Sequence, residues 1–195
     1  MTAVFDPDKH HRRSIRLPGY DYSRSGAYFV TICAQDRACL FGDIADGVMR
    51  LNDAGRVVAD SWQWLESQYD YVELDEFVIM PNHVHGVIVI VGAGLPRPYI
   101  ASGAETKTGA ETAPLRATLG RMVAYFKYQS TKHINIMRGT PGMPVWQRNY
   151  YEHIVRNDDE LNRIREYIAN NPKQWEIDQE NPNVWPMSAH EGIRI

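Results

Sequence analysis

Met80-Pro81-Asn82-His83-Val84-His85-Gly86-Val87-Ile88-Val89-Ile90 is the stretch whose reading decides the fold. Val72–Met80 before it is rich in apolar and β-branched residues, and Pro81-Asn82 is turn chemistry. Val87–Val91 after it continues as buried strand, so the whole reads as two antiparallel strands joined by a tight turn. Side chains alternate across a strand, so His83 and His85 share a face. Two imidazoles side by side at the mouth of a core strand suit a divalent-metal site. Two hydrogen-bonded histidines at a strand end suit the pattern as well, and the pair alone does not choose.

Outward from this hairpin the elements repeat in a simple order. Tyr28–Ala34 is a strand by its β-branched and aromatic content. Residues 35–51 form a connection with room for a short strand pair. A helix is predicted from about Ala54 to Gln68, with Val57, Val58, Ser61, Trp62, Leu65 and Tyr69 at three- and four-residue steps and Asn52 or Asp53 as its cap. After the hairpin, residues 92–114 hold two Gly-Ala-Glu-Thr copies and little core material, which reads as a long flexible loop. Leu115–Ile134 is a second amphipathic helix, buried along Leu115, Leu119, Met122, Val123 and Phe126. Val145–Val155 is the fourth strand. Asn157-Asp158-Asp159-Glu160 starts a last helix with a capping box. Pro172 should end it near Asn171.

Strand, helix, strand, strand, helix, strand, helix describes an α+β fold. It is the ferredoxin-like split βαβ sandwich, an antiparallel sheet with helices on one face and an appended C-terminal helix. At 195 residues the chain suits a single domain (1–195), with an N-terminal basic arm (1–26), the 92–114 loop and a C-terminal tail (173–195).

Composition narrows the function classes. Hydrophobic content of 44% and charged content of 23% are ordinary for a globular protein. There is no apolar run of membrane-spanning length and no secretory signal pattern, and the two cysteines cannot make a disulfide framework. A cytoplasmic protein is the expectation. The net charge of −3 gives no global drive toward nucleic acid. Phosphate contacts must come from local patches: Arg12, Arg13, Arg16 and Arg24 beside Tyr20 and Tyr22 in the arm, and Arg116, Arg121 and Lys127 on the second helix. The same charges also read as solvated surface.

The last helix supplies the remaining chemistry. Leu161, Ile164 and Ile168 form its buried stripe, with Tyr167 and Asn171 about 90° and 50° from the stripe's centre and one turn apart. They flank the core, where side chains can reach a site on the sheet. Asn171 at the helix end offers a carboxamide oxygen as third metal ligand. A phenol has a pKa of about 10 and is a poor nucleophile at neutral pH. It is suited to attacking a phosphodiester and holding the broken strand as an ester until another end arrives. A metal would polarise the phosphate, Mg²⁺ preferring oxygen and imidazoles moving the preference toward Mn²⁺ or another transition metal. Tyr150 and Tyr151 lack a metal-capable partner one turn away. With Trp146 they read as sheet packing or as a platform for bases.

Met80-Pro81-Asn82-His83-Val84-His85 resembles the histidine–hydrophobe–histidine motif of single-tyrosine (HUH) transposases. Val145–Asn157 followed by Tyr167-Ile168-Ala169-Asn170-Asn171-Pro172 resembles their REP-associated tyrosine transposase subgroup. The likeness runs from about Tyr28 to Pro172 apart from the 92–114 loop. It implies His83, His85 and Asn171 as ligands to Mg²⁺ or Mn²⁺ and Tyr167 as nucleophile. It also implies single-stranded, hairpin-bearing DNA (REP-like elements) as substrate, with a covalent 5′-phosphotyrosine and a free 3′-OH. No membrane partner is expected, and the protein would act as monomer or homodimer. Two other classes stay open: a non-catalytic binder of DNA hairpins, and a metal-dependent phosphodiesterase in which Tyr167 is structural.

Overall fold

A computed structural model of the chain describes residues 16–17, 19–92, 116–178 and 180–182. Arg12, Arg13, Leu115, all but the first residue of the predicted loop and most of the predicted tail lie outside them.

The elements in order are β1 (Gly26–Cys33), β2 (Gly42–Ala45), β3 (Val48–Leu51), α1 (Asp53–Gln68), β4 (Val72–Ile79), β5 (His83–Ile90), α2 (Leu119–Arg138), β6 (Tyr151–Ile154) and α3 (Asp158–Asn170). A four-stranded sheet has the order β4-β5-β1-β6, and β2 and β3 pair as a separate hairpin. Every pairing in the main sheet is antiparallel. Each helical crossover thus skips one strand, β5 of the β4-β5 hairpin and β1 are the two inner strands, and the split βαβ sandwich is realised.

Alternation assigns the two faces. Tyr28, Val30, Ile32, Val84, Ile88 and Ile90 point to one side. There they form the main core with Val58, Trp62 and Leu65 of α1 and Leu119, Met122, Val123 and Phe126 of α2. Gly86 lies in this face because the Trp62 indole fills the space a side chain would need, within 2.4 Å of an ideal Cβ. Phe29 and Val87 point to the other side and pack with Ile168 of α3, flanked by Leu161 and Ile164. So α1 and α2 cover one face, while α3 crosses the face that carries His83 and His85.

Several boundaries differ from the sequence reading, each for a physical reason. Helix α1 starts at Asp53 because the Asn52 side chain accepts from Gly55 N–H at 3.0 Å. Helix α2 starts at Leu119, after extended Thr118, and not at Leu115. Its end moves from Ile134 to Arg138, where Gly139 stops it in the left-handed region (φ 65°). The fourth strand shrinks to Tyr151–Ile154. The Lys127 ammonium gathers the carbonyls of Gln147, Asn149 and Arg148 at 2.9, 3.0 and 3.4 Å, which takes them out of the ladder. Helix α3 ends at Asn170, just before Pro172 as expected, but the helical path goes on. Residues Asn171–Ile177 continue as a 3-10 helix with the proline in its first turn, where a missing N–H costs nothing. Among the described residues no helix is long and apolar enough to cross a membrane.

Candidate active site

The β1–β5 register places Thr31 opposite His85 and Cys33 opposite His83, all on the face that α3 crosses. Both histidines are buried. Their rings meet at an angle, and the two Nε2 atoms converge to 3.0 Å.

Hydrogen bonds on the far sides of the rings settle the proton on one of them. The Asn82 amide nitrogen donates to the carbonyls of Arg37 (3.1 Å) and Glu180 (2.6 Å), which orients its Oδ1 toward His83. That oxygen can only accept, so His83 Nδ1 carries the proton and donates at 2.8 Å. Its Nε2 is therefore a bare lone pair aimed at His85. On the other ring, Nδ1 lies 2.8 Å from the Thr31 hydroxyl, which can donate or accept. Thr31 thus permits either His85 tautomer.

Burial pushes the His83 imidazole down to about 4 and holds His85 well below the ordinary histidine range. Both rings are neutral at pH 7, as ligation requires. Two nitrogens 3.0 Å apart also match adjacent positions around an octahedral ion with bonds of about 2.1 Å. With both Nε2 atoms bare, the lone pairs repel unless a cation lies between them.

Helix α3 brings the other two candidates. The Tyr167 hydroxyl lies 3.3 Å from His85 Nε2, and its ring meets His85 and Phe29 edge-on. It is 46% exposed, so it is reachable from solvent. Burial raises its pKa, the neighbouring Asn171 amide works against that, and the Asp178 and Glu180 carboxylates reinforce it. Asn171 is 2% exposed, and its Oδ1 has no hydrogen-bond partner among the described residues. An orphaned buried amide oxygen on the residue that neighbours Tyr167, together with two imidazole Nε2 atoms that converge with His85 in the Nδ1–H tautomer, fits a divalent cation. Among the described residues no cluster of three His, Cys, Asp or Glu side chains offers a competing metal site.

The predicted phosphate contacts are not brought together. Arg16 hydrogen-bonds the Tyr150 hydroxyl at 3.2 Å and lies 3.8 Å from Glu152. Arg116 donates to the Val91 carbonyl at 2.8 Å and stacks on Tyr71. Lys127 is the clasp described above, its pKa lowered to about 8 by burial. Arg24 and Arg121 remain at the surface, Arg24 over the Tyr20 ring.

Sequence reading missed Asn82, Thr31, Arg37 and Glu180. Asn82 was visible only as a turn residue. Thr31 depends on a register linking positions 54 apart. Arg37 follows Asp36 through two left-handed residues (φ 54° and 52°) and meets the Glu180 carboxylate at 3.2 Å. That carboxylate lines a cleft with His85 and Tyr167.

No protein-family model matches the chain. An uncharacterized protein of Haemophilus influenzae is 41% identical over 184 residues, spanning 92% of this chain and 98% of its own length. A second protein of that organism, provisionally named a REP-associated tyrosine transposase, is 24% identical over 152 residues, 78% of this chain and 73% of its own. Among solved structures, that of a REP-associated tyrosine transposase bound to a REP hairpin superposes with a TM-score of 0.54 at 16% identity. The match covers 82% of this chain and 73% of that one.

Proposed function

We propose that this chain cuts and rejoins single-stranded, hairpin-bearing DNA through a phosphotyrosine at Tyr167; it belongs to the family of the 41%-identical Haemophilus influenzae protein and has the fold of a REP-associated tyrosine transposase. The observation that carries the reading is the meeting of three groups from two elements. The His83 and His85 Nε2 atoms converge, and the Tyr167 hydroxyl from α3 reaches the same point.

A divalent cation, Mg²⁺ or Mn²⁺, held by His83, His85 and Asn171 would polarise the scissile phosphate. The chain's own residues prepare the rest. Asn82 keeps the His83 proton on Nδ1 and its Nε2 free. Thr31 can hold His85 in the same tautomer. The Asn171 amide favours ionisation of the phenol that burial opposes. Attack of the phenol oxygen on phosphorus forms the tyrosine ester and breaks the bond to the 3′ oxygen, which leaves as a 3′-OH with a proton. Attack by another 3′-OH reverses the step and releases the tyrosine. One phosphodiester is exchanged for another, and no external energy source is needed.

A hydrolytic reading, with Tyr167 structural, has one observation in its favour: burial raises the pKa of the phenol. A denaturing gel of an end-labelled hairpin oligonucleotide incubated with Mn²⁺ separates the readings. Strand transfer gives a cut strand and a protein-linked strand, both lost in Tyr167→Phe while DNA binding persists. Cutting without a protein-linked strand selects the phosphodiesterase. Binding without cutting selects the non-catalytic hairpin binder.

A further inference from the structure

A second hollow opens on the β6 side of Tyr167, away from the point where the imidazoles meet. Its volume is about 330 Å³, and Phe29, Tyr151, His153, Arg163 and Tyr167 wall it. Tyr151 projects from β6 on the site face, opposite Thr31, and is 48% exposed. Phe29 meets it edge-on at 6.2 Å and 67°, which holds the tyrosine ring upright rather than flat on the core. Trp146, by contrast, is buried, and Tyr150 packs against the main core. Of these three aromatics Tyr151 is the one with a ring on offer.

Two polar groups of the hollow, His153 and Glu160, are already paired with each other. His153 Nε2 and Glu160 Oε1 lie 2.9 Å apart, and Glu160 Oε2 accepts from Arg156 N–H at 2.7 Å. Arg163, one turn before Tyr167 and exposed, has no hydrogen-bond or ion-pair partner among the described residues. Aromatic walls, a closed polar floor and one unspent guanidinium at the rim recognise a flat π-face with a phosphate attached, and do little to read a base edge. A paired, stacked base has no free face to insert.

We propose that this hollow holds one unpaired nucleobase of the strand being cut. The base stacks on Tyr151 beside the phosphate that Tyr167 attacks, and Arg163 contacts a neighbouring phosphate. The placement of the strand rests on the strand-transfer reading above. The site accepts any base, because stacking does not depend on the edge.

The test is fluorescence anisotropy in EDTA with a labelled hairpin oligonucleotide carrying a single-stranded flank. A series removes one base at a time from the flank. In the wild type, one abasic position is expected to weaken binding about tenfold. Tyr151→Leu should bind the intact oligonucleotide as weakly, and the same abasic position should then cost nothing more. Tyr151→Phe should restore both affinity and sensitivity, and thermal melting of each variant checks the fold. Arg163→Ala should flatten the log K against log salt slope by about 0.7. Equal abasic penalties in wild type and Tyr151→Leu, or no sensitive position, would overturn the proposal. Because the readout needs neither metal nor cutting, the two readings fail separately. A position-specific abasic effect in a protein that never forms an adduct keeps the stacking site and removes strand transfer. An adduct without any sensitive position does the reverse.

Discussion

Gly86 sits between His85 and Val87 with the Trp62 ring where its side chain would be. An alanine Cβ there would come within 2.4 Å of Trp62 and 3.0 Å of Phe77, two rings stacked at 4.5 Å. Trp62 is buried and also meets Phe126, so it cannot yield. Gly86→Ala is expected to destabilise the protein by about 1–3 kcal/mol in urea unfolding. His83→Ala and His85→Ala should lose Mn²⁺ binding in calorimetric titration while keeping the fold, because the strand's apolar residues lie on the opposite face or further along. Unchanged affinity in the double variant would remove both from a metal site. At this scale, what was legible in the sequence is what strand alternation controls, namely that His83 and His85 share a face. The partners of those rings were not legible. Asn82 acts through an amide orientation set by Arg37 and Glu180, and Thr31 through a strand pairing that no local pattern indexes.

Helix α3 carries Tyr167, yet Ile168 is its one fully buried residue. Polar clasps position the rest. Arg165 donates to both Asp75 oxygens at 2.7 and 2.6 Å, tying the helix to β4. Glu160 ties its start to His153 and to Arg156 N–H. The Arg165 guanidinium holds the Asp75 carboxyl below its ordinary 3.8. The Arg156 N–H and then His153 hold Glu160 below its ordinary 4.5. A depressed carboxylate pKa stabilises the fold fully above the unfolded value and loses that contribution as pH falls below it. Amide hydrogen exchange is therefore expected to rise in α3 below about pH 4 before it rises in α1. Equal protection of the two helices at that pH would show that packing alone holds α3. The existence and type of the helices and main strands were legible from period and caps. The end of α3 before Pro172 was legible as well; the extent of β6 was not, because Lys127 acts through contacts that a local pattern does not contain.

Across the whole molecule, the order of strands and helices was enough to give the split βαβ sandwich, since short hairpins and helical crossovers leave few alternatives. Charge was less legible: a helical wheel shows where Lys127 and the sequence shows that Arg116 is basic, but not that both are spent on backbone carbonyls. With a net charge of −3, any DNA affinity must come from cations that remain at the surface. Arg24→Ala and Arg121→Ala should each reduce the salt slope of DNA binding. Lys127→Ala should lower stability through the unpaired carbonyls and leave the slope unchanged. A slope equally altered by Lys127→Ala would return that residue to the DNA surface. The central claim is the covalent one, and the most direct measurement is mass spectrometry of the proteolysed complex after incubation with Mn²⁺ and a hairpin oligonucleotide. A nucleotide adduct on the peptide containing Glu166-Tyr167-Ile168 is the predicted result. Cleaved DNA with that peptide unmodified, or an adduct on Tyr150 or Tyr151 instead, would contradict it.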